Sequence, residues 1–416
     1  MERKWTTVRD LRRTNRSTVL SRLYLAGPLS RPEISRDTGL SAGTVSNVTA
    51  ELIEEGLVVE AGLVDSHGGR PRALLRVDPD YGYVVGVDVG ETRVRVELFD
   101  LAMTRRALVD RQLPSARPRP EAVVSRILTG LTEAISRAGV PEERILGVGI
   151  GVFGLVEQGP EVTVHAPTVG WQEVRLESSL RAGTRLPLFI DNGAKALGQA
   201  EMWYGAGRGR QHAVIVLVGS GVGAAVITHG QSYRGFTSSA GEWGHTTIVY
   251  GGRPCRCGSS GCLEAYVGAE GIIDRYRQAR AGRPVPGGDE ESQIAALVRA
   301  RHSSTVAARI LEETTGFLGA GLANLINLFN PELIVLGGWT GLVLGAELLP
   351  EIRVAAGRHA LELPYRQVSI ELSQLGADAV AFGAATLPVQ DLLLRGGETG
   401  AARTAGSVRA ARSSHR

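Results

Sequence analysis

All three cysteines of the chain lie within eight residues of one another, as Cys255, Cys257 and Cys262, and His245 precedes the first by ten residues across a short apolar run. Three thiolates and one imidazole form the closed tetrahedral shell that structural zinc favours, and Gly258 and Gly261 let the backbone turn tightly around a small ion. A single disulfide with a spare thiol, or three core thiols, would leave both the spacing and His245 without a reason. Two carboxylates flank this ligand set. Glu242 stands three residues before His245, and Glu264 two residues after Cys262. Ionised carboxylates accept hydrogen bonds from vicinal hydroxyls, and an imidazole with one nitrogen on a metal can donate through the other.

The two motifs, E-x-G-H over 242–245 and C-x-C-G-x-x-G-C-x-E over 255–264, resemble the ROK family of repressors and sugar kinases. The resemblance implies a zinc site that shapes a monosaccharide pocket, with Glu242, His245 and Glu264 contacting sugar hydroxyls. It also implies a two-lobed fold of the actin-like ATPase type. Two glycine-rich loops fit that fold. Asp88, Gly90 and Thr92 lie between the strands expected at 83–88 and 94–99. Gly219, Gly221 and Gly223 follow the strand expected at 213–217. They resemble the family's two phosphate loops, at the starts of two comparable halves.

Further landmarks follow in order: a buried strand over 145–153 and the 165–171 loop ahead of a helix. A long helix over 307–330 has small residues for close packing at Gly316, Gly319, Ala320 and Gly321. Then come Asn330-Pro331-Glu332 and the strand 333–336, which resemble the border of the family's adenine site. Phe153 replaces the family's usual proline, and Thr168 its usual asparagine. The resemblance covers residues 82–390.

The departure that matters most lies at 190–195, Ile-Asp-Asn-Gly-Ala-Lys. In the family's kinases this segment reads Asn-Asp-Ala-Asn, and its aspartate is the general base. Anchored by Glu201 and Gly205, an ungapped alignment places Asn192 on the family asparagine and Gly193 on that aspartate. Glycine accepts no proton, and loss of a positioned base typically costs about 10²- to 10⁴-fold in rate. The expectation is a sugar pocket kept through Asn192, Glu242, His245 and Glu264, with no catalytic residue. An ATP-dependent sugar kinase is the alternative, and a domain that binds a protein partner a third.

The elements ahead of this region have a different character. Residues 1–50 carry nine Lys or Arg against four acids, a local charge of +5 in a chain whose net charge is only +3. Apolar residues recur at helical spacing over 14–26, 31–38 and 42–55, with Gly27-Pro28, Gly39 and Ser41 as stop, turn and cap. Two helices joined by a glycine-containing turn have the form of a helix-turn-helix, whose second helix enters the major groove by its early residues. That places Ser41, Thr44, Ser46, Asn47 and Thr49 near DNA. Short strands at 57–61 and 73–77, joined by a loop containing Gly68-Gly69-Arg70-Pro71-Arg72, complete a winged helix. Arg70 and Arg72 resemble arginines that sit in a narrow minor groove.

The chain's 416 residues, 43% of them hydrophobic, allow two or three domains. No apolar run reaches the ~18 residues of a membrane span, Glu2 and Asp10 do not suit a signal peptide, and a zinc-type cysteine cluster suits a reducing cytoplasm. The expected organisation is α/β: a winged helix-turn-helix over 1–78, a two-lobed sugar-kinase-like domain over 82–394, and a disordered tail over 395–416. The expected function is a DNA-binding transcriptional regulator, a repressor of carbohydrate genes. It would hold zinc, answer to a monosaccharide or sugar derivative, and read a double-stranded operator as a homodimer or homotetramer.

Overall fold

The computed structural model describes residues 8–66, 69–114 and 117–398. Helix α1 (Val8–Ala26) leads through strand β1 (Leu29–Ser30) to α2 (Arg31–Thr38) and α3 (Ala42–Glu54). The starts of the last two are set by local chemistry. Ser30 and Glu33 form a capping box at α2, Gly39 ends it at φ 71°, and the Ser41 hydroxyl accepts the Thr44 N–H to start α3. Strands β2 (Val58–Ser66) and β3 (Gly69–Val77) form a hairpin, with β1 added on the far side of β3. Two expectations change here. Helix α1 extends back to Val8, ahead of the expected start at residue 14, and Leu11 in the added turns is exposed, so no buried apolar position marks them. The Gly-Arg-Pro-Arg segment is strand from Gly69 onward, with Arg72 opposite Val64, so it is no loop. Gly68 and the Arg70 side chain lie outside the described residues.

Two five-stranded sheets of the same plan follow. The first contains β4 (Tyr83–Val89), β5 (Arg93–Asp100), β6 (Arg105–Gln112), β7 (Ile145–Val152) and β11 (Leu188–Asn192), in the order β11-β7-β4-β5-β6. Helix α4 (Pro120–Ala138) covers it, and a small sheet of β8 (Leu155–Glu157), β9 (Thr163–Ala166) and β10 (Trp171–Val174) precedes helix α5 (Leu176–Arg181). The 165–171 segment, expected as a loop, is therefore largely strand and a 3₁₀ turn.

The second sheet contains β12 (Ala213–Val218), β13 (Val222–Thr228), β14 (Gln231–Ser232), β15 (Leu333–Gly337) and β16 (Ser369–Leu372), ordered β14-β13-β12-β15-β16. In both, an antiparallel meander of three strands is extended by two parallel ones, which is the duplication that two similar phosphate loops implied. Helices α7 (Glu264–Val267), α8 (Ala269–Ala279), α9 (Glu290–Arg299), α10 (Thr305–Phe329), α11 (Trp339–His359) and α12 (Glu362–Gln367) pack around it. Gly319 of α10 lies where a Cβ would meet Ala355 of α11 at 2.4 Å, whereas Gly316 faces open space.

Two helices connect the sheets. Helix α6 (Gly193–Tyr204) leaves β11 of the first sheet and packs on β12 and β13 of the second; α13 (Ala379–Leu394) follows β16 of the second and packs on β4 and β7 of the first. Helix α13 packs backbone-close on both β7 and α6. A Cβ on Gly149 would lie 1.7 Å from Ala384 O, and one on Gly383 2.1 Å from Ala196 O. The core of the N-terminal module does not end at residue 78. Val19, Leu20, Leu23, Leu52 and Leu57 share one buried cluster with Val84, Phe99, Leu101, Val389 and Leu392.

Residues 395–398, expected as the start of a disordered tail, are ordered against α1: Gly396 and Gly397 donate back to Leu393 and Leu392 carbonyls, and Arg16 donates to Gly396 O at 2.9 Å. Residues 399–416 lie outside the described range. Among the described residues, no helix is long and apolar enough to cross a membrane.

Candidate functional site

The ligand set comes together within a short segment. A 3₁₀ turn, Trp243–His245, aims His245 at a knuckle closed by bridges between Thr247 and Cys262 and between Pro254 and Ser260. Gly261 is obligatory in this knuckle: its φ is 75° and a Cβ would sit 1.8 Å from Val249 O. One ligand atom from each of His245, Cys255, Cys257 and Cys262 lies within 4.8 Å of the others. Cys257 and Cys262 sulfurs are 3.8 Å apart, and His245 Nδ1 is 3.8 Å from Cys255 Sγ. Four sulfur or nitrogen atoms about 2.0–2.3 Å from a tetrahedral zinc stand about 3.6–3.8 Å from one another. The residues present therefore fit the ion. Burial pushes the Cys255 thiol up to about 12, so it ionises near neutral pH only beside a cation.

The polar groups expected at a sugar lie at the cleft between the two sheets. Asn192 caps α6: its Oδ1 accepts the Ala194 and Lys195 N–H groups and its Nδ2 donates to Gly154 O at 2.8 Å. Its carbonyl is thus committed to the helix. Glu242 is half-buried, and burial raises its pKa against the opposing pull of His245 and Lys195. Glu264 is buried; one oxygen accepts the Val222 N–H at 2.9 Å and the other faces Arg256 at 3.4 Å.

Gly193 opens α6 with ordinary clearance, its nearest neighbours to a Cβ being Val380 Cγ1 at 3.5 Å and Val152 O at 3.8 Å. Packing does not require glycine there. Asp191 beside it is fully engaged: its Oδ1 accepts the Asn192 N–H and its Oδ2 pairs with Arg234 at 2.7 Å.

Four charged residues not foreseen as site residues complete the cleft. Lys195, on the first turn of α6, is buried and donates to Ser238 O; burial lowers its pKa while Asp191 and Glu242 oppose the shift. It is the one basic residue in a run of small ones, Gly-Ala-Lys-Ala-Leu-Gly, a signal the sequence did carry. Arg234 comes from the loop after β14. Arg256, inside the metal knuckle, reaches across to Glu91 in the loop after β4 at 2.5 and 3.1 Å, and to Glu270 at 3.1 Å. Burial raises the Glu91 pKa, with Arg256 opposing.

These contacts sit where the two glycine-rich loops face each other. Ser220, between Gly219 and Gly221, bonds Glu290, and its carbonyl lies 3.4 Å from Arg256. Arg93 pairs with Glu291 at 2.9 Å. Gly90 and Thr92 form the turn proper, whereas Asp88 and Gly223 belong to strands β4 and β13. Burial pushes the Asp88 carboxyl up to about 6.

On the N-terminal module, Ser41, Ser46 and Asn47 are exposed along α3 and Thr44 is half-exposed, its hydroxyl 2.9 Å from that of Ser41. Arg72 is exposed on β3. Thr49 is a correction. It is fully buried, accepts from Arg31 Nε at 3.0 Å and donates to Ser46 O, and so faces the core of the module away from any groove.

Residues 84–391 match the ROK family. Over 395 residues the chain is 31% identical to a putative xylose repressor of Caldicellulosiruptor sp. (strain Rt8B.4), covering 92% of this chain and 97% of the relative. It is similar to the crystal structure of a ROK family transcriptional regulator that is a homolog of the E. coli MLC protein, at TM-score 0.76 and 24% identity over 93% of this chain and 98% of that one. It is also similar to a ROK family glucokinase from Streptomyces griseus in complex with glucose and AMPPNP, at TM-score 0.65 and 28% identity over 74% of this chain and 100% of that chain.

Proposed function

We propose the function from one premise: this chain belongs to the ROK family. It is a sugar-responsive transcriptional repressor of the cytoplasm. The winged helix over 1–78 reads a double-stranded operator through Ser41, Thr44, Ser46 and Asn47 of α3, with Arg72 and Arg70 on the wing. The domain over 82–394 binds a monosaccharide beside zinc, using Glu242, His245, Glu264 and the remaining N–H of Asn192, with Lys195 as a further donor. Zinc on His245, Cys255, Cys257 and Cys262 would order the knuckle and leave His245 Nε2 to the sugar.

The observation that carries this reading is the state of the phosphate site. The ungapped alignment over 192–205 sets Gly193 at the position of the kinases' base, and the Glu91–Arg256 pair lies between the loops over 88–92 and 218–223. A polyphosphate entering there would meet Glu91, Glu264, Glu270 and Glu290. The exposed polar side of α3 supports the DNA arm. Two such modules in a homodimer would match a two-fold operator.

Sugar must bind the DNA-competent and DNA-released forms with affinities differing by about 1–3 kcal/mol. The test is fluorescence anisotropy of the full chain on DNA from its own promoter region, with D-xylose, D-glucose and D-mannose each added. Release by one sugar supports the repressor; in the same binding assay Asn47→Ala should weaken DNA binding by about 1–3 kcal/mol with unchanged melting. Coupled detection of ADP is the counter-test. Turnover near 1 s⁻¹, ordinary for an enzyme, would replace this reading with a sugar kinase.

A further inference from the structure

We propose that Trp203 and Tyr204, at the C-terminal end of α6, are the positioning residues through which the sugar cleft acts on the DNA-reading module. The proposal rests on reading the cleft as a sugar site, and it adds the route by which occupancy would reach DNA. Helix α6 starts in the cleft, with Asn192 as its cap and Lys195 on its first turn. Its 12 residues span about 18 Å, and its other end lies on α1. There the Trp203 ring meets Tyr24 edge-on, with centroids 6.1 Å apart, and the Tyr204 hydroxyl donates to that of Tyr24 at 2.8 Å.

The end of α6 is held in place. Glu201 is buried and accepts the Ser373 hydroxyl at 2.5 Å and the Ala206 N–H at 3.0 Å. Tyr204 packs edge-on against Phe382 of α13, which packs edge-on against Phe99 of β5. Burial pushes the Tyr204 phenol up to about 12 and raises that of Tyr24, so the hydroxyl pair keeps both protons through the physiological pH range.

Helix α1 touches both connecting helices. Tyr24 meets the end of α6, and two turns earlier Arg16 meets the end of α13 through Gly396 O. Because α6 and α13 each link one sheet to the other, a change of angle between the lobes slides one along the other, the shear that packed helices permit. Helix α1 bridges their ends and is turned by that slide. Arg16 also pairs with Glu51 and Glu55, and Arg12 with Glu51, so the C-terminal half of α3 moves with it.

Hydrogen exchange of α1 in the full-length zinc-loaded protein tests this. The cleft is perturbed in two ways: by D-xylose or D-glucose at saturation, and without sugar by Lys195→Met or Asn192→Ala. In the wild-type background each should change α1 exchange by about threefold or more. In Trp203→Leu/Tyr204→Phe the change should fall below about 1.5-fold. Zinc content and the sugar dissociation constant should stay within about twofold of wild type, which a merely structural role would not predict. Tyr204→Phe alone removes one hydroxyl and no packing, and reads the same coupling should the double variant fail to fold.

An equal α1 response with and without the aromatic pair overturns the proposal. So does a wild-type α1 that ignores both kinds of perturbation. If neither sugar raises the melting temperature, the sugar reading alone falls, and the substitution arm still decides the role of α6.

Discussion

The metal knuckle and the pair of loops over 88–92 and 218–223 both turn at glycines, yet they gather different chemistry. In the knuckle, the backbone geometry and the four ligands agree: Gly261 makes the turn and His245, Cys255, Cys257 and Cys262 converge on one point. At the two loops, the turns instead gather carboxylates around a guanidinium. Glu91, Glu264, Glu270 and Glu290 surround Arg256 where phosphates would need donors. Ligand geometry and charge, rather than glycine content, distinguish the two.

Breaking the knuckle should have the largest effect. Chelation, or Cys257→Ser, should destabilise the protein by about 4 kcal/mol and lower Tm by on the order of 10 °C, with residues 250–262 becoming protease-sensitive. Calorimetry with zinc analysis checks this, and a melt indifferent to zinc would erase the contrast.

Arg256→Met should come next, at about 3 kcal/mol, since it leaves Glu91 and Glu264 buried without their cation. Adding Glu91→Gln should recover part of that loss in denaturant titrations.

Asp88 sharpens the comparison through pH. Its folded pKa, about 6, lies above the unfolded value, so its contribution to stability is full below about pH 4 and is lost as pH rises through 6. Asp88→Asn should therefore equal wild type near pH 4. At pH 7 it should exceed wild type by at most about 3 kcal/mol, seen as a difference between their melting curves.

Gly193→Asp should do least, changing stability by less than about 0.5 kcal/mol and yielding no turnover, because one carboxylate does not clear the phosphate site. Sugar-dependent ADP release near 1 s⁻¹ from that variant would mean that the loops still take nucleotide.

The parts legible in the sequence were those whose determinants are local. Metal ligands within a few residues of each other, the cap at Ser41, and the strands over 83–88, 94–99, 145–153, 213–217 and 333–336 can be read from local sequence. Thr49 was misread because helical position alone does not say which face is buried; Arg31, eighteen residues earlier, decides it. Strand β6 escaped notice because its outer residues are arginines and acids, with only Ala107 and Val109 marking the inward face. The cleft charges were illegible for a different reason. Glu91 and Arg256 are 165 residues apart, and no local pattern announces such a pair. The ordered start of the tail depends on Arg16, on the far side of the chain.

The winged helix and the first lobe share a single buried cluster, with Val84, Phe99, Leu101, Val389 and Leu392 covered by α1 and its neighbours. Gain or loss of the DNA-binding module in a lineage is then no simple splice of one gene segment to another. A relative that lives without the module must carry polar residues at the positions equivalent to Phe99, Leu101 and Val389, or else hide them beneath some other element. Those few positions form a molecular record of whether an ancestor of such a protein once bound DNA.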